Sequence, residues 1–152
     1  MTPHDNPAIA ARQHWMAIIA RASTADLASL LADTAPLDGY TLLRGPEIGL
    51  VMLRGRIGGG GGPFNLGETT VTRCTLRAGD QVGHATIAGR NTSRALLAAR
   101  LDAALQNPAS HDALQTHVIA PLAARQAAAR AETAARAAAT RVEFFTLQTM
   151  RT

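Results

Sequence analysis

Between Ile9 and Ala22 apolar residues recur at helical spacing (Ile9, Trp15 or Met16, Ile19, Ala22), and Asn6-Pro7 supplies an N-cap with proline at the first helical position. Ser23 followed three residues later by Asp26 is a capping pattern for a second, shorter helix carrying Leu27, Leu30 and Leu31. Thr34-Ala35-Pro36 ends it, because a residue before proline is pushed out of the helical region. From Gly39 the period changes. Tyr40 to Arg44, Gly49 to Ile57, Thr69 to Arg77 and Gln81 to Ala88 are short runs bounded by Gly, Pro and Asp, with Gly45-Pro46 and Ala78-Gly79-Asp80 reading as hairpin turns. Nothing between these runs is long enough for a helical crossover, so four antiparallel strands in meander order are expected. Helices then return: Asn91, Thr92 or Ser93 caps one in which Leu97, Leu101 and Leu105 repeat, and Asn107-Pro108 stops it. Ser110 starts another, and Pro121 resets the register for a long one to about Arg141. The predicted class is α+β in one domain, 1–152. It comprises N-terminal helices (1–36), a four-stranded antiparallel sheet (39–88), C-terminal helices including one long Ala-rich helix (91–141), and a short apolar strand or tail (142–152).

Composition changes this picture in two ways. The chain has 152 residues, 47% of them hydrophobic, which suits a soluble globular domain, yet 32 are alanine, so the core is thin in bulky side chains. The predicted long helix holds 11 alanines over the 20 residues from Pro121 to Thr140 and spans ~30 Å. An alanine face buries far less area than a leucine face, so part of this helix is expected to lie against something else. The single cysteine, Cys74, excludes an internal disulfide framework and fits a reducing compartment. No basic-then-apolar leader and no membrane-length apolar run is present, which makes a cytoplasmic location the expectation. The net charge of +4 points to an anionic partner, but all fifteen basic residues are arginine, a pattern that compositional bias explains without function.

The candidate chemistry is sparse. Gly58 to Gly62, preceded by Arg54 and Arg56, resembles a phosphate cradle. No Gly-Lys-Ser/Thr follows, and Pro63-Phe64-Asn65 leads into a strand rather than a helix, so neither nucleotide fingerprint is met. Five glycines are entropically costly to order, so the loop is read as a mobile tip or partner contact, with anion binding as the other reading. Arg54, Arg56, Arg73 and Arg77 flank it on two strands, where they are expected to form one basic patch. His4, His14, His84, His111 and His117 lack metal-ligand spacing, so no metal site is expected. Cys74 sits mid-strand on one face with Thr70, Thr72 and Leu76, as a small hydrophobe rather than a nucleophile. Glu47, Glu68, Asp80, Asp102, Glu132 and Glu143 are scattered and support no acid–base pair. No catalytic residue is assigned to the chain.

Several of these segments together resemble the PhnG family, the G subunit of the bacterial carbon–phosphorus lyase core complex. The resemblance rests on Arg12-Gln13-His14-Trp15-Met16, Gly49-Leu50-Val51, Arg54-Gly55-Arg56-Ile57-Gly58-Gly59, Pro63-Phe64-Asn65-Leu66-Gly67-Glu68 and Thr70-Val71-Thr72-Arg73-Cys74. It continues through Gly83-His84-Ala85, Gly89-Arg90, Ala120-Pro121-Leu122 and Arg141-Val142-Glu143-Phe144-Phe145-Thr146, nearly the whole chain.

The resemblance implies a non-autonomous subunit of α-D-ribose 1-methylphosphonate 5-triphosphate synthase. With the H, I and L proteins it would transfer the ribose triphosphate of ATP to a phosphonate and displace adenine, ahead of a radical subunit, J. ATP would be a substrate of the complex, with no cofactor on this chain and the I protein as its chief partner. Combined with the residue reading, this marks Arg54, Arg56, Gly58, Gly59, Phe64, Asn65, Gly67, Glu68 and Arg73 as a partner-contact or phosphate-binding loop. Val142, Phe144 and Phe145 are marked as a partner-contact tail. No nucleic acid and no membrane are expected as partners. The competing readings are a small basic nucleic-acid-binding module, from the high pI alone, and a stand-alone nucleotide-handling enzyme using Arg54, Arg56 and Glu68.

Overall fold

The computed structural model describes residues 6–32, 34, 37–57 and 60–141. Two helices, α1 (Pro7–Arg21) and α2 (Thr24–Leu31), precede three strands, β1 (Tyr40–Arg56), β2 (Pro63–Ala78) and β3 (Gln81–Ala88). Helices α3 (Thr92–Gln106), α4 (Pro108–Leu114) and α5 (Ala120–Ala139) follow. The local capping code is used as the sequence predicts. Asn6 Oδ1 accepts from Ala8 N at 2.9 Å, Ser23 Oγ from Asp26 N at 3.0 Å, and Asn91 Oδ1 from Arg94 N at 2.8 Å.

The sheet is an antiparallel meander in the order β1-β2-β3, three strands rather than four. The two runs Tyr40–Arg44 and Gly49–Ile57 belong to one strand, and Gly45-Pro46 is not a hairpin turn but an irregularity between Arg44 and Glu47 in the pairing with β2. Pro46 is tolerated there because β1 is an edge strand: proline removes a ladder donor that an outer edge does not use. The other predicted turn is real, with Ala78 paired to Gln81 across Gly79-Asp80.

The C-terminal helices also differ from expectation. Asn107 ends α3 and caps α4, its Oδ1 accepting from Ala109 N at 3.0 Å, while the Ser110 hydroxyl turns back to Ala104 O at 2.7 Å. No break precedes the long helix. A π turn over Gln115–Ile119, in which Ala120 N donates to Gln115 O, joins α4 to α5. This wider turn lets the helix pass Pro121, which has no N–H to give and whose ring crowds the carbonyl four residues back.

Helices pack on one face of the sheet. Cys74 and Leu76 of β2 and Ala85 and Ile87 of β3 point into a core with Leu101 and Leu105 of α3 and Trp15, Ile18 and Ile19 of α1. Ile9, placed on the apolar stripe by spacing, is 41% exposed. Six alanines are buried in this core, four of them on α3, and they allow helix and strand to approach closely. At Gly83 the approach is closest: a Cβ there would lie 2.0 Å from the Ala99 carbonyl oxygen and 2.9 Å from Ala103 Cβ. Gly83→Ala therefore has to push β3 off α3, and a loss of at least the ~1–3 kcal/mol typical of overpacking is expected in chemical denaturation.

One charge lies inside this core. Asp102 on α3 is 1% exposed, and its carboxylate accepts from Arg12 Nη2 (2.7 Å) and Nε (3.2 Å), Trp15 Nε1 (2.9 Å) and the His84 backbone N (2.9 Å). Arg12 Nη2 also donates to Val82 O at 2.9 Å, and so does Gln106 Nε2. The carboxylate thus ties α1, β3 and α3 together at one point, with both partners of the ion pair hydrogen-bonded as burial requires.

Candidate functional site

Strand β3 covers only the Val71–Ala78 half of β2. Beyond Val71 the other half of β2 pairs with β1 alone, from Leu50↔Thr70 to Arg56↔Pro63, as a two-stranded arm. At ~3.3 Å per residue the arm extends about 26 Å past the third strand. A two-stranded ribbon has no core of its own and is marginal in water unless something packs on it.

Its side chains are apolar where solvent-exposed ribbons are normally polar. Leu50, Met52, Leu53, Ile57 and Leu66 are each 46–65% exposed, Phe64 is 38% exposed, and Ile48, just before the arm begins, is 45% exposed. Alternation puts Ile48, Leu50 and Met52 on the face they share with Thr72, which further along the sheet is the core face. Leu53 falls on the opposite face. There Leu66 lies over Gly55, where a Cβ would come within 2.5 Å of Leu66 Cδ1. Between Leu53 and Arg54 the pairing slips by one residue, so Leu66 has no partner of its own. Gly67 beside it has φ 148°, a conformation that favours glycine.

The residues predicted from sequence are only partly brought together. Arg54 stands opposite Asn65, Phe64 opposite Gly55 and Glu68 opposite Met52, all on the arm. Arg56 closes the tip, its Nη1 donating to Gly61 O at 3.3 Å. Gly58 and Gly59, and the tail residues Val142, Phe144 and Phe145, lie outside the described residues. Arg73 is not at the tip. It pairs with Glu47, eight residues along β2 from Asn65, hence about 26 Å from Arg54. Its Nη2 lies 3.7 Å from Glu47 Oε1. The single basic patch expected of Arg54, Arg56, Arg73 and Arg77 is therefore two separate pairs, because strand register, not closeness to the glycine loop, sets their spacing.

A cavity of about 560 Å³ lies at the other end of the sheet, between the start of β1 and helices α3 and α4. Arg100 on its wall is already engaged, by Leu37 O at 2.6 Å, the Asp38 carboxylate at 2.9 Å and the face of Tyr40. No three His, Cys, Asp or Glu side chains gather around a common point there or elsewhere among the described residues. Cys74 is 1% exposed, and burial pushes its thiol up from the ordinary value. The thiol is protonated at neutral pH and inert. Its alkylation by iodoacetamide should therefore be slow in the native chain and fast in denaturant. Because the folded state holds this proton more tightly than the unfolded one, its contribution to stability is lost as pH rises above the ordinary thiol range near 9.

Sequence reasoning missed Ile48, Leu50, Met52, Leu53 and Leu66. The signal was present in Ile48-Gly49-Leu50-Val51-Met52-Leu53, a continuous apolar run of the kind a strand buried on both faces shows. Here it occupies an edge. A second projecting element accompanies it: past Gln126, which donates to Ile18 O at 2.9 Å, every residue of α5 is exposed.

The chain is similar to known proteins over nearly its whole length. Residues 10–150 match the family model described as phosphonate metabolism protein PhnG. A relative from Rhizobium meliloti (strain 1021), the alpha-D-ribose 1-methylphosphonate 5-triphosphate synthase subunit PhnG, is 44% identical over 147 residues, which span 94% of this chain and 92% of that protein.

Proposed function

Because this chain belongs to the PhnG family, we propose that it is a subunit of an α-D-ribose 1-methylphosphonate 5-triphosphate synthase that does no chemistry by itself. The product name defines the reaction class. A ribose carrying a 5-triphosphate and a 1-phosphonate arises when a phosphonate oxygen attacks C1 of ATP, the C1–N bond breaks, and adenine leaves with a proton. That step needs a group to protonate the leaving base and a site to hold the triphosphate. On this reading those groups come from the other subunits, and what supports it is an apolar arm about 26 Å long presented to solvent. The exposed arm is the observation that carries this reading.

The other synthase subunits, the I protein chiefly with H and L, and the J subunit that acts later, are the partners in this account. The arm from Arg54 to Glu68 is the principal contact, with Phe64 its aromatic anchor. The tail with Val142, Phe144 and Phe145 is a second contact by its apolar alternation. A chain truncated after Arg141 should then fail to co-purify with the I protein, and an intact complex would remove the tail from the interface. Separation of the arginines into two pairs weakens the nucleic-acid reading, which requires DNA affinity falling steeply with salt.

A further inference from the structure

The arm has an edge as well as two faces. β1 is one of the two edge strands of the sheet, so among the described residues its outward N–H and C=O groups have no strand beside them. Over most of its length that edge is disrupted: the pairing is irregular between Leu42 and Glu47, Pro46 removes a donor, and the register shifts again after Leu53. Glu47 to Leu53 is the longest regular stretch, seven residues in unbroken register. Soluble proteins protect such an edge with charge, proline or a bulge. From Ile48 to Leu53 there is none of these; every residue but Gly49 is apolar.

Resting on the docking role proposed above, we infer that this edge is completed by an extended segment of a partner subunit, which adds a fourth strand alongside Glu47–Leu53. Main-chain pairing supplies the affinity, and alternate side chains of the added strand pack with Ile48, Leu50 and Met52. The chemistry of the segment follows from the charges around it. Arg54 and Arg56 continue the edge beyond Leu53, and neither has a carboxylate within ion-pair distance among the described residues. The segment is therefore apolar at alternating positions over about seven residues and carries an acidic group past its apolar part. A second copy of this chain does not meet that requirement. A twofold through Leu50 sets Ile48 against Met52 but places Pro46 opposite Arg54, and Glu47, the acid on this edge, is already held by Arg44 and Arg73.

Residue-resolved amide exchange on the isolated chain and on the chain co-purified with its synthase partners tests this. In an antiparallel edge strand alternate amides point outward. Those of Glu47–Leu53 should exchange freely in the isolated chain and slow by roughly 100-fold in the complex. Unchanged fast exchange in an intact complex would overturn the added strand while leaving the arm contact standing. Protection already present in an isolated monomer and lost on truncation after Arg141 would identify the chain's own tail as the occupant. Protection in an isolated dimer would identify a second copy; either result overturns the inference. Failure of the docking reading itself looks different: Leu50→Asp/Met52→Asp chains would still enter the complex.

Discussion

The double substitution Leu50→Asp/Met52→Asp should leave the isolated chain folded and remove it from the synthase complex. Leu50 is 58% and Met52 51% exposed, and both stand beyond the strand that joins the arm to the core. Surface changes away from buried contacts usually move stability by less than about 0.5 kcal/mol each, so the thermal midpoint of the double variant should shift by no more than about 4 °C. Central apolar residues of an interface cost about 2 kcal/mol or more each when removed, and a buried carboxylate adds a desolvation penalty. Two such changes are expected to weaken association by on the order of 1,000-fold, enough to eliminate co-purification. The diagnostic result is the combination, a native midpoint with no complex. Loss of both would make these residues part of the fold instead, and retention of both would leave the arm without a role.

The opposite pattern is expected at Asp102. Asp102→Ala removes the acceptor for Arg12, Trp15 Nε1 and the His84 N–H together, and leaves the Arg12 guanidinium without its counter-charge. Breaking a buried ion pair from one side costs about 3–5 kcal/mol. For a domain of this size that lowers the midpoint by roughly 10 °C. Arg12 is 31% exposed and retains some water, which places the expected loss toward the lower end of that range. Partner affinity should follow only through the fraction folded. A normal denaturation midpoint for Asp102→Ala would contradict the structural role given to this network.

These two sites also show what was readable before the structure. Helix starts at Asn6, Ser23 and Asn91 are encoded within four residues each, and local chemistry was enough to place them. The α+β class and the meander order followed from runs and turns of the same short range. The fourth strand failed because Gly45-Pro46 has the composition of a turn, and only the edge position of β1 makes it a tolerated irregularity. Asp102 looked like one scattered carboxylate among several; its partners come from α1 and β3, 87 to 90 and 18 positions away along the chain. The arm was half legible. Phe64, Asn65, Gly67 and Glu68 were marked as site residues through the family resemblance, but Leu50 and Met52 were not, because an apolar residue in a strand reads as buried. Only the shortness of β3 shows that nothing within the described chain covers them.

The central claim is that this polypeptide acts only when docked, and adenine release from ATP in the presence of methylphosphonate tests it most directly. The purified chain alone should give no release above the uncatalysed background, the complete synthase complex should turn over, and the complex prepared with the Leu50→Asp/Met52→Asp chain should not. Adenine release by the isolated, monomeric chain at a rate comparable to that of the complex would contradict the account.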